Sequence, residues 1–92
     1  MTEIAKPPNL AARGGVWFAS GDVQLHLGAE AGFKAAKKAH PALLVHDLAG
    51  LKARCRAASI ETVSDEPLEG FNRFYAPDPF GNRLEFLERT AE

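Results

Sequence analysis

The sequence predicts an α+β domain in which a βαβββ module follows a partial copy of itself, and three observations carry that prediction. An amphipathic helical stripe in the second half is flanked on both sides by apolar residues at strand spacing. A glycine turn joins two β-rich segments in the first half. Both halves then end alike, in Val23-Gln24-Leu25-His26-Leu27 and Leu84-Glu85-Phe86-Leu87-Glu88, each after an aromatic strand and a glycine turn. With 92 residues, 46% of them hydrophobic and 25% charged, the chain reads as one globular domain over 1–92.

Residues 1–12 hold Pro7, Pro8 and Asn9 with little periodicity and are expected to form an extended arm that can carry a short edge strand at 2–6. Residues 13–30 read as the end of a first module. Arg13-Gly14-Gly15 punctuates the chain, 16–20 is rich in β-formers, and Gly21-Asp22 is a hairpin turn signal. In the returning strand, Val23, Leu25 and Leu27 share one face while Gln24 and His26 point to the other. Residues 29–39 are rich in alanine and lysine and give at most a helical turn.

Residues 40–88 read as the complete second module. His40 opens its first strand, with Pro41 at the first rung because it cannot donate to a ladder. Asp47 is the expected N-cap of a helix over 48–58, where Leu48, Leu51, Cys55 and Ala58 fall on one face. A short β-branched strand is expected over 60–64, a connection over 65–70 and an aromatic strand over 71–76. Residues 77–82 are dense in turn chemistry, with Gly81 and Asn82 expected at positive φ. A last strand over 83–88 puts Leu84 and Phe86 on one face and Arg83, Glu85 and Leu87 on the other.

Eleven Lys plus Arg against twelve Asp plus Glu give a net charge of -1. A nucleic-acid partner, which calls for a strongly basic face, is not expected. No apolar run approaches the roughly 20 residues needed to span a bilayer, so no membrane partner is expected and the chain is read as soluble and cytoplasmic. Cys55 is the single cysteine. It sits within the helical stripe as a small core residue and can close no disulfide inside the chain.

The residues His40-Pro41-Ala42-Leu43 at a strand start and Asp47-Leu48 at a helix start, with Phe74-Tyr75 ahead of Asp78-Pro79-Phe80-Gly81-Asn82-Arg83-Leu84-Glu85-Phe86, resemble the vicinal oxygen chelate superfamily. That group holds glyoxalase I, bleomycin- and fosfomycin-resistance proteins and extradiol dioxygenases. Residues 18–28 look like the end of its preceding module. The resemblance implies a glyoxalase/bleomycin-resistance/dioxygenase-like half-barrel, in which paired βαβββ modules form an open cup around a divalent metal ion. It implies His40 and Glu85 as metal ligands from the second module. The opening strand and helix of the first module, a usual source of a further ligand, have no counterpart in the chain. A homodimer completing the cup across chains is one expectation, because an open sheet edge invites a partner.

Gln24 stands at the repeat position equivalent to Glu85, as a neutral metal ligand or as a hydrogen bonder to substrate. His26 lies on the same face and is a candidate acid or base together with Glu85. Arg73 and Tyr75 share one face of their strand and would bind an oxygen-rich ligand there; otherwise Tyr75 joins Phe71 in the core and Arg73 is a rim charge. Trp17 is a pocket wall or sheet-packing bulk. Bland roles stand beside these, with His40 in solvent and Glu85 a rim carboxylate paired with Arg73 or Arg83. Two functions follow. One is a metal-dependent lyase, isomerase or dioxygenase acting on a small substrate with adjacent oxygens. The other is a non-catalytic, small-molecule-binding dimer or a remnant without activity.

Overall fold

The computed structural model describes residues 1–90. The chain divides into two compact units, one spanning Met1–Phe33 and the other running from Lys34 onward. The first unit is an antiparallel sheet of β1 (Thr2–Ile4), β2 (Val16–Ser20) and β3 (Val23–Leu27) in spatial order β1-β2-β3. Gly21, at φ 57°, makes the expected tight hairpin between β2 and β3. The arm contributes a real strand: Ile4 pairs with Trp17 and Thr2 with Ala19. After it, residues Pro8–Ala11 form a single helical turn, α1, with proline in its first turn. Gly14 and Gly15, at φ 75° and 84°, turn the chain back into β2. A side chain at Gly15 would place its Cβ 2.2 Å from the Leu27 carbonyl oxygen, so that position needs glycine twice over.

The second unit holds β4 (Ala42–Leu44), α2 (Leu48–Ala57), β5 (Phe71–Pro77) and β6 (Arg83–Arg89), with strand order β4-β6-β5. β6 is central, parallel to β4 and antiparallel to β5. The parallel pair needs a crossover, and α2 lies within it. Asp47 caps α2 as expected, accepting from the Gly50 amide at 3.0 Å. Leu48 and Cys55 pack on Phe74 and Ala76 of β5, with Val45, Leu51 and Phe86 against them. Ala58, the last residue of the expected stripe, caps the helix and is exposed. Among the described residues only these four apolar side chains and Glu85 are buried, and the first unit contains none of them.

The strand expected over 60–64 is reduced to one bridge, in which Val63 and Tyr75 exchange both backbone hydrogen bonds at 2.9 and 2.8 Å. Ile60 and Val63 stay 40% and 52% exposed, so neither gains the burial that extends a strand. Asn82 also departs from expectation. Gly81 takes positive φ at 86°, whereas Asn82 does not and acts through its side chain. Among the described residues no helix is long and apolar enough to cross a membrane.

Candidate functional site

Strand alternation sorts the β4-β6-β5 sheet into two faces. Phe74, Ala76 and Phe86 turn toward α2, which places Arg73, Tyr75 and Glu85 on the opposite side. Tyr75 is the cross-strand partner of Glu85, and the Glu85 amide donates to the Pro41 carbonyl at 3.1 Å. That bond pins the residue after His40 beside β6. The turn before β6 completes the placement. Asp78 accepts from the Phe80 and Asn82 amides at 2.9 Å each and from Asn82 Nδ2 at 2.8 Å. Burial pushes the Asp78 carboxyl up, but these hydrogen bonds outweigh it and hold the group below the usual carboxylate range. Asn82 Oδ1 in turn accepts from the Ala36 amide at 2.8 Å, and the Arg83 amide donates to the Ala36 carbonyl at 2.8 Å. The string from Asp78 to Arg83 is therefore a clamp that delivers the 36–40 segment to Glu85.

At the centre, His40 Nε2 lies 2.9 Å from Glu85 Oε1 and His40 Nδ1 lies 2.8 Å from the Lys37 carbonyl oxygen. Since a carbonyl can only accept, Nδ1 carries hydrogen, and the Nε2 edge shares a proton with the carboxylate or offers a lone pair. The Glu85 hydrogen bond, helped by the Lys37 carbonyl, raises the His40 pKa above the ordinary imidazole value. Glu85 Oε2 accepts from Arg73 Nη1 at 3.3 Å, and the same Nη1 donates to the Tyr75 hydroxyl at 2.9 Å. Glu85 is thus a buried carboxylate, 7% exposed, rather than a rim charge.

The chain of contacts continues into the 65–70 connection. Arg73 Nη2 donates to the Glu66 carbonyl at 2.7 Å, and the Tyr75 hydroxyl donates to Asp65 Oδ2 at 3.0 Å. The Asp65 carboxyl is held below its usual range by the Glu66 amide first and the Tyr75 hydroxyl second. The Arg83 guanidinium sits 4.6 Å above the Tyr75 ring. Asp65 and the Lys37 carbonyl were not among the residues singled out from sequence, whereas Arg83 was named there as a pairing partner of Glu85. Only Arg83, two positions before Glu85 on one strand, carried a periodic signal for this face.

The structure thus gathers His40, Glu85, Arg73 and Tyr75 in the second unit. Gln24, His26 and Trp17 form their own group in the first. Trp17 and His26 are cross-strand partners whose rings stack at 3.6 Å with 2° between planes. His26 Nε2 lies 3.0 Å from Gln24 Oε1, so the amide oxygen is already committed to a neighbour.

A divalent cation is implied for this site, and the chemistry of the donors allows a test of fit. A ligating histidine characteristically donates its other ring N–H to a carbonyl, which is what His40 Nδ1 does toward Lys37. His40 Nε2 and Glu85 Oε1, hydrogen-bonded at 2.9 Å, are a nitrogen and an oxygen donor of the kinds a divalent cation takes. The fit extends to these two groups: among the described residues no three of His, Cys, Asp and Glu are placed to hold one ion. Arg73 works against it by neutralising part of the carboxylate charge.

Comparisons with known proteins agree with this architecture. A crystal structure from Bacillus anthracis, described as a glyoxalase family protein, matches with a TM-score of 0.93 and 43% identity over 98% of this chain and 74% of the other. The oxidase ChaP-H1 matches with a TM-score of 0.64 and 25% identity, over 83% of this chain and 68% of the other. FosX, a genomically encoded fosfomycin resistance protein from Listeria monocytogenes, matches over 99% and 73% with a TM-score of 0.72. At 16% identity that last likeness concerns the fold alone. No protein-family model and no curated protein matches the chain.

Proposed function

Because the chain belongs to the glyoxalase family, within the vicinal oxygen chelate superfamily, we propose that its His40–Glu85 face handles a small molecule with adjacent oxygens, with a divalent cation held there by His40 Nε2 and Glu85 Oε1. The observation that carries this reading is the buried carboxylate facing an imidazole whose other nitrogen is fixed by a backbone carbonyl. When bound, such a cation polarises the substrate's oxygens and lowers the cost of charge that develops on them. The chain's own residues supply the rest. Glu85 accepts or returns a proton at its carboxylate, a role within reach because it already shares one with His40. The Arg73 guanidinium and Tyr75 hydroxyl, joined at 2.9 Å, orient an oxygen-rich ligand over the sheet. The reaction class is a metal-assisted lyase, isomerase or dioxygenase step.

We also place the working form as a homodimer in the cytoplasm. In support, the first unit has no buried side chain among the described residues and leaves β1 and β3 with free edges. The buried free thiol of Cys55 suits a reducing compartment.

A second reading, metal-free sequestration of a small ligand, is favoured by Arg73, which already balances Glu85 without a cation. Elemental mass spectrometry on the purified protein, with His40→Ala and Glu85→Ala beside it and solution mass recorded, separates the two. Near-stoichiometric divalent metal lost in both variants supports the first reading. A metal-free dimer that takes up none in titration supports the second.

A further inference from the structure

A cavity of about 240 Å³ lies within the first unit, between the 6–14 segment and the face of the sheet that carries Trp17 and His26. Its walls include Lys6, Leu10, Arg13, Gly14, Trp17 and His26. Two of these are cations, and no acidic side chain is among the described residues that line it. The Lys6 ammonium donates to the Gly14 carbonyl and so ties the two ends of the segment together beside the opening. Among the described residues the Arg13 guanidinium has no hydrogen-bond or ion-pair partner. Its donor fork is therefore free for a planar anion, the shape that a guanidinium matches with paired hydrogen bonds.

Two aromatic rings stand among the lining residues of the cavity. The imidazole of His26 lies parallel to the indole of Trp17 at 3.6 Å, held in that plane by the contact with Gln24. A stacked pair of this kind offers a π face to a further ring. The volume falls below the ~300–1,000 Å³ of a site for drug-sized ligands, which suits a one-ring molecule. Leu10 supplies an apolar side wall.

We propose that this cavity binds a small planar carboxylate, its ring on the Trp17–His26 stack and its carboxylate on Arg13 with Lys6 alongside. The site uses residues of the first unit alone and needs neither a metal ion nor the His40–Glu85 pair.

Trp17 is the one tryptophan of the chain, so its fluorescence reports on this cavity without labelling. The full-length protein is titrated with benzoate at constant pH under excitation at the red edge of indole absorption, with benzamide as the neutral planar control and inorganic phosphate as the ringless anion. The expected result is a saturable change with benzoate, binding at least about tenfold weaker for benzamide, and no matching change with phosphate, the scale of one lost charge-assisted hydrogen bond. Arg13→Gln removes the charge from an exposed side chain without a fold contact. It should weaken benzoate to the level of benzamide, while His40→Ala and Glu85→Ala leave benzoate binding intact. Equal responses to benzoate and benzamide, an unchanged response in Arg13→Gln, or no saturable response at all would overturn the proposal. Loss of benzoate binding in His40→Ala would overturn its independence from the second unit.

Discussion

Replacing Glu85 with leucine tests whether one buried carboxylate organises the polar face of the second unit. Its oxygens take His40 Nε2 at 2.9 Å and Arg73 Nη1 at 3.3 Å, and the carboxylate side chain is 9% exposed. Removing one partner of a buried pair costs about 3–5 kcal/mol, because the charge left behind regains neither its counter-ion nor full hydration. Two features reduce that figure. The His40 and Arg73 side chains each keep 16% exposure, and Arg73 retains the Tyr75 hydroxyl and Glu66 carbonyl as acceptors. The expected loss is therefore about 2–3 kcal/mol, or a fall in Tm of about 10–20 °C for a domain of this size. Urea denaturation followed by far-ultraviolet circular dichroism measures it, with the slope unchanged if only stability has moved. Glu85→Gln keeps an acceptor of nearly the same shape and should lose only about 1 kcal/mol. Adding Arg73→Met to Glu85→Leu should restore at least half the loss, since the stranded cation goes with it. A Glu85→Leu protein as stable as the wild type, or one that Arg73→Met destabilises further, would refute the reasoning.

Asp47→Ala should cost about 0.5–2 kcal/mol in the same denaturation assay, because the Gly50 amide at the start of α2 loses its acceptor. Gly15→Ala combines a positive φ of 84° with a Cβ driven against the Leu27 carbonyl, and should destabilise the first unit by about 1–3 kcal/mol, read from the denaturation midpoint of Trp17 emission. The His40 ring should titrate by NMR above the ordinary value of ~6.5 and move down in Glu85→Gln, since the Glu85 hydrogen bond is the chief cause of the rise. The sign for stability follows: a raised folded pKa means this link contributes fully below the unfolded value and fades as pH climbs through the folded one. A His40 midpoint indifferent to Glu85→Gln would contradict that assignment.

Much of the fold was legible because period and punctuation agreed. The Gly21 hairpin, the split of Gln24 and His26 from Val23, Leu25 and Leu27, and the Asp47 cap all stand where alternation and turn chemistry put them. Alternation also told that Arg73 and Tyr75 share a face, and that Glu85 opposes Phe86 across β6. What was illegible depended on tertiary reach. Residues 60–64 have strand propensity but lie at an open edge, where one Val63 bridge is all they gain. The turn at Pro8–Ala11 is too short for periodicity to reveal. Asn82 looked like a backbone choice, yet it works by bonding to Asp78 and to Ala36, 46 positions away. His40 and Glu85, 45 residues apart, meet only because β4 runs parallel to β6, so local pattern could nominate them but not join them.

The most direct test of the central claim, that His40 and Glu85 converge on a divalent cation, is a calorimetric titration of the metal-stripped protein with Mn²⁺ or Zn²⁺ in buffers of different ionisation enthalpy. The proton shared across the 2.9 Å contact must leave when both groups ligate an ion, so binding should saturate near one equivalent and release protons. More of them are released as pH falls and His40, whose pKa is raised by Glu85, becomes more fully protonated. His40→Ala and Glu85→Ala should each abolish the heat. Uptake that ignores both substitutions, or no uptake at all, would contradict the account and leave Glu85 as the counter-ion of Arg73 in a metal-free site.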